Sequence, residues 1–112
     1  MTTILRVTCA QTGAVSPSTP LLKTIEKACG MIKAAAEARA DLILFPELFL
    51  HPFFPNDLKS DFDDFFLDPS GPEIGRLKDC CSKEGVAAIL PVGERSGILR
   101  YNSALYVDMR GR

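Results

Sequence analysis

The chain has 112 residues, 46% apolar and 24% charged, with 13 basic against 14 acidic side chains and a formal net charge of −1. That is one ordinary domain, able to remove roughly two thirds of its unfolded surface from water, and the composition excludes a disordered or fibrous chain. Near-neutrality excludes a global field for nucleic acid or an anionic membrane, and with no apolar run long enough to span a bilayer and no secretory signal, a cytoplasmic protein is expected.

Residues 4–11 read as a first strand with Leu5, Val7 and Cys9 on one face and Gln11 at its end. A loop of small residues, 13–18, follows. Thr19 then offers a hydroxyl cap and Pro20 a first-turn proline whose missing N–H costs nothing, so a helix is expected to about residue 39. Leu21, Leu22, Ile25, Cys29, Ile32, Ala35 and Ala36 recur at three- and four-residue spacing, the stripe of a helix laid on a sheet.

Residues 41–55, DLILFPELFLHPFFP, are the segment around which the rest is organised. The run from Leu42 to Phe45 fits a strand covered on both faces, and Pro46, which cannot donate the next ladder hydrogen bond, ends it. Glu47 follows at the carboxyl end of that strand, where ligands of open α/β sheets bind. With Leu48, Phe49 and Leu50 on one side and Phe53 and Phe54 on the other, its carboxylate is expected to be partly desolvated, as suits a general base or acid. The competing reading is a loop glutamate that reaches water.

The connection from 51 to 71 is long, which in a compact domain points to function. Residues 56–72 carry five aspartates and one lysine, read as a solvated excursion, with one short helix around 61–67. Ser70 or Gly71 then caps a second helix with Pro72 in its first turn, burying Ile74, Leu77 and Cys81 and closed by Gly85. Residues 86–92 form a third, apolar strand; 93–97 a turn with two glycines; and 98–108 a fourth strand, broken near Asn102 and paired antiparallel with the third. The order β-α-β-α-β-β gives an α/β sheet with right-handed crossovers.

The four cysteines have neither zinc-site nor disulfide-scaffold spacing and are expected to be reduced. Cys9, Cys29 and Cys81 are assigned to the core and Cys80 is left undecided. Cys80 and Cys81, adjacent on a helix, point about 100° apart and cannot jointly hold a metal.

The strand ending at Gln11, the helix into ADLILFPEL, Gly71-Pro72 opening the second helix and GERSGILRYNSALYVDMRGR together resemble the nitrilase, or carbon-nitrogen hydrolase, superfamily. FPELFLHPFFP looks most like the N-carbamoyl-D-amino-acid amidohydrolase branch. The resemblance implies a partial αββα sandwich and hydrolysis of an amide or carbamoyl substrate by a cysteine, a lysine and a glutamate. It implies no cofactor or metal, no nucleic-acid or membrane partner, and a homo-oligomer. Glu47 would be the base that takes the thiol proton and later activates water, Phe53 and Phe54 would wall the substrate pocket, and Asn102 would support the strand beside it. Core packing for the phenylalanines and a turn role for the asparagine compete with those assignments.

The resemblance also implies that residues 1–112 are the N-terminal part of such a domain, truncated before the lysine and the cysteine. None of the four cysteines sits at a strand-to-helix turn where a thiol is exposed and activated. His51 lacks the helical spacing of a metalloprotease ligand. A non-catalytic module of the same ancestry, binding a ligand or a subunit through an open sheet face, is the alternative; a nucleotide-binding domain is disfavoured by the lack of a glycine-rich phosphate loop.

Overall fold

The computed structural model describes residues 2–56 and 61–112, and residues 57–60, with their share of the acidic excursion, lie outside the described residues. The elements are β1 (Val7–Cys9), α1 (Leu21–Glu37), β2 (Leu42–Leu44), β3 (Phe66–Leu67), α2 (Pro72–Glu84), β4 (Ala87–Ser96) and β5 (Leu99–Val107), with 3-10 turns at Phe54–Asn56 and Asp63–Phe65. β1, β2 and β4 run parallel in that order. β5 returns antiparallel along nearly all of one edge of β4. β2 and β3 therefore share the other edge, β2 against Ala87–Ile89 and β3 against Gly93 and Glu94. The chain leaves that edge after Phe45, whose N–H still reaches Ile89 O at 3.2 Å, and comes back to it at Phe66.

Sheet registers sort the side chains into two faces. Ile43, Ala88, Leu90, Val92 and Val107 share one, and all are essentially inaccessible. Against them pack Ile25, Ala28, Ile32 and Ala35 of α1 and Ile74, Leu77 and Cys81 of α2. Each Ile or Leu so buried contributes about 1.5–3 kcal/mol from removal of apolar surface. Val7, Cys9, Leu42, Leu44, Ile89, Pro91 and Tyr106 share the opposite face, where no second layer stands among the described residues: Val7 is 50% exposed and Tyr106 64%. The second strand is thus covered on one face, not two, and Val7 and Cys9 do not enter the core.

Several local expectations are corrected. Thr19 does not cap α1; Pro20 holds the cap position without a side-chain hydrogen bond, and Thr19 N–H instead closes a turn onto Ser16 O at 3.0 Å. Leu22, 61% exposed, falls outside the buried stripe, and Ala28 takes the place inside it. The helix expected at 61–67 is a single 3-10 turn followed by β3, because Phe62, Phe65 and Phe66 gather on the Phe54 ring at centroid distances of 5.2, 5.6 and 5.4 Å. Gly93 lies within β4, and the hairpin turns at Gly97 and Ile98, where Gly97 has φ 57°. β5 is unbroken at Asn102, which pairs with Gly93. α2 follows expectation, with Gly71 as N-cap, Pro72 in the first turn and Gly85 at φ 69° closing it onto Cys81 O.

Cys29 and Cys80 are joined by a disulfide that ties α1 to α2 across 51 residues of sequence. This corrects the expectation that all four cysteines are reduced: the pairing depends on how the two helices cross, which sequence spacing does not report. Cys9 and Cys81 are free; burial, with the nearby Asp108 carboxylate, pushes the Cys81 thiol up to about 11. Among the described residues no helix is long and apolar enough to cross a membrane.

Candidate active site

Pro46 ends the ladder of β2, and residues 47–50 form a turn. Leu48, although not glycine, adopts φ 50°, a left-handed conformation that costs a non-glycine residue of order 1 kcal/mol or more and persists only where its surroundings hold it. Here Leu48, Phe49 and Leu50 are all buried, Phe49 is stacked on Phe45 with centroids 4.5 Å apart, and Leu50 O lies 2.9 Å from the Thr24 hydroxyl of α1. The apolar residues that were expected to desolvate Glu47 instead anchor the turn in the core. Glu47 itself faces outward and is exposed, which corrects the expectation of a partly buried carboxylate.

Its carboxylate is nevertheless held. Asn102 Nδ2 donates a hydrogen bond to Glu47 Oε1 at 2.8 Å, joining the β2 turn to β5 across β4. The β4 residue paired with Asn102 is Gly93. A Cβ there would lie 3.0 Å from Phe66 Cδ1 and 3.1 Å from Phe65 O, so a side chain would push β3 away from the site. Glu47 Oε2 has no hydrogen-bond partner among the described residues.

Glu47 opens onto a small concavity of about 120 Å³, walled by the β1–α1 loop (Thr12 to Val15), the turn residues Pro46 to Phe49, His51 and Phe53. Phe53, 46% exposed, lies on that wall; Phe54 does not line it and belongs to the aromatic cluster behind. His51 stacks on Phe65 at 4.9 Å, and burial lowers its pKa from the usual 6.5 despite the opposing pull of Glu73. Lower proton affinity favours the neutral imidazole, able to donate one hydrogen bond and accept another. In the sequence the only signal of His51's membership of the site is its place four residues after Glu47, and that spacing points to no metal-binding role. Nothing in the small residues of the β1–α1 loop marks it, in the sequence, as a wall.

No cysteine lines the concavity: Cys29 and Cys80 are bridged, Cys81 is buried, and Cys9 is in the ladder beside Leu44. Among the described residues no three His, Cys, Asp or Glu side chains converge as a metal site would require. What the arrangement offers is an oriented carboxylate whose second oxygen has no hydrogen-bond partner among the described residues, an imidazole of lowered proton affinity, and an aromatic wall.

The sequence matches the family description "Carbon-nitrogen hydrolase" over residues 6–112. Among curated proteins it is similar to an arylacetonitrilase of Hypocrea virens, 34% identical over 97 positions, covering 79% of this chain and 28% of that protein. It is also similar to the bifunctional nitrilase/nitrile hydratase NIT4B of Lupinus angustifolius, 30% identical over 125 positions, covering 98% and 35%. The chain thus spans about a third of the length of these relatives. Among solved structures, the carbon-nitrogen hydrolase of Helicobacter pylori G27 superimposes with a TM-score of 0.81 at 20% identity, over 96% of this chain and 37% of that one. An amidase from Nesterenkonia sp. gives 0.71 at 19%, over 96% and 39%. These two likenesses establish the fold.

Proposed function

Because the chain belongs to the carbon-nitrogen hydrolase family, we propose that it supplies the N-terminal part of an enzyme that hydrolyses a non-peptide carbon-nitrogen bond, with Glu47 as the proton-accepting carboxylate. The Asn102–Glu47 hydrogen bond carries this reading: it engages one oxygen of a carboxylate and orients it beyond the carboxyl ends of parallel strands. In this reading Glu47 takes the proton of a cysteine thiol as the sulfur attacks the substrate carbonyl and ammonia leaves, then activates the water that releases the acyl or carbamoyl group. The thiol and the assisting lysine come from outside these 112 residues, since no thiol lines the concavity. Phe53 would wall the substrate directly; Phe54 would do so by holding the loop that presents it.

The substrate proposed is an N-carbamoyl amino acid or a related amide, on the strength of the Phe53-Phe54-Pro55 run after Glu47. The names of the curated relatives favour a nitrile as the second reading. A homo-oligomer belongs to the same proposal, and the apolar open face of the sheet supports a partner layer there. A non-catalytic module docking through that face is the alternative.

The test is ammonia release from an N-carbamoyl amino acid, its amide counterpart and a nitrile, measured on this chain and on any longer polypeptide that continues its reading frame. The 112-residue chain is expected to be silent. In an active longer form, Glu47→Gln should cost several powers of ten, as loss of a member of a catalytic constellation does. Unchanged turnover in that variant would overturn the role of Glu47. Ammonia release by the short chain, lost on Glu47→Gln, would overturn the need for an outside thiol.

A further inference from the structure

A larger cavity, of about 370 Å³, lies between the β1–α1 loop and the first turns of α1. Its size is that of a small-molecule site, typically about 300–1,000 Å³. Ala28 and Phe49, both buried, make its floor, with Ala14 and Val15 beside them. Lys23 and Lys27, both exposed, are at its mouth, and no carboxylate lines it. Lys27 Nζ donates to Thr12 O at 2.6 Å, which fixes the ammonium at the rim and spends one of its three N–H groups. Neither lysine has an acidic partner within ion-pair distance among the described residues.

From this juxtaposition we propose that the cavity binds a small organic carboxylate with an apolar body. The ammonium groups take the carboxylate and the Phe49 floor takes the body. A bare inorganic anion would leave the floor unfilled, and a neutral analogue would forgo the charge-assisted hydrogen bonds, which are about twice as strong as neutral ones. Thr12, Ala14, Val15 and Phe49 also line the Glu47 concavity, so the two spaces share a wall. Phe49 lies two residues from Glu47, next to the left-handed Leu48.

The binding claim does not rest on the hydrolase reading, because it is measured on this chain as binding. Isothermal titration with phenylacetate, phenylacetamide and inorganic phosphate is the experiment, with melting curves to confirm that each variant is folded. Phenylacetate should bind with 1:1 stoichiometry; the amide should bind about tenfold or more weakly, the worth of one hydrogen bond to a charged group, and phosphate about tenfold or more weakly because it buries no apolar body against Phe49. Lys23→Gln and Lys27→Gln should each weaken phenylacetate by about tenfold on the same basis, while Glu47→Gln leaves its affinity intact. No saturable binding, equal affinity for acid and amide, or equal affinity for phosphate would each overturn the proposal. So would loss of binding in Glu47→Gln, which would place the ligand in the smaller concavity.

Discussion

Gly93→Ala isolates the contact on which the geometry of the candidate site depends. A methyl at this position meets Phe66 Cδ1 at 3.0 Å and Phe65 O at 3.1 Å. The phenyl ring can rotate, but the carbonyl belongs to the 3-10 turn leading into β3, so relief requires β3 to move off β4. Overpacking of this kind costs about 1–3 kcal/mol. With an unfolding entropy of about 2.1 cal/mol/K per residue, that corresponds to a fall in Tm of about 4–13 °C for this chain. Gly30→Ala in α1 is the control: nothing lies within 4 Å of its added Cβ, and the helix gains about 0.8–1 kcal/mol, or a Tm rise of about 4 °C. The assay is thermal unfolding by circular dichroism of both variants beside the parent. If Gly93→Ala melted at or above the parent while Gly30→Ala rose as stated, the close approach of β3 to Gly93 would be refuted.

Three further outcomes follow from the geometry. The Cys29–Cys80 bridge closes a loop of 51 residues, worth about 4 kcal/mol in the chain-entropy account, so reduction should lower the urea midpoint substantially; four titratable thiols in unreduced, denatured protein would rule the bridge out. The depressed pKa of His51 means that the unfolded chain binds a proton more readily than the folded one, so stability is full above pH 6.5 and falls as pH drops below it. His51→Phe should flatten that dependence, and an unchanged slope in urea titrations at pH 7 and pH 5 would contradict the burial of His51. The Thr24 hydroxyl, within reach of both Leu21 O and Leu50 O, ties the Glu47 turn to α1; Thr24→Val should cost about 1 kcal/mol and speed amide exchange in residues 48–51, and unaltered exchange there would remove the tether.

The fold was legible in the sequence where local and global preferences coincide. The 3.6-residue recurrence of Ile25, Ile32 and Ala35, the Pro72 start and Gly85 stop of α2, and the halt of β2 before Pro46 are each dictated within a few residues, so all appear where expected. The position of Glu47 beyond its strand was legible for the same reason. Its environment was not: the apolar triplet after it burrows into the core through the left-handed Leu48 and leaves the carboxylate outside. The aromatic cluster that turned an expected helix into β3 joins Phe54 to rings 8 to 12 positions on, and the Cys29–Cys80 bridge and the Asn102 contact over Gly93 join residues more than fifty positions apart. Periodicity and turn chemistry report only on neighbours along the chain. The amino-acid order thus determined which segments become strands and helices and where the acidic group falls. Only the folded sheet, by bringing distant side chains into contact, decided what that group touches.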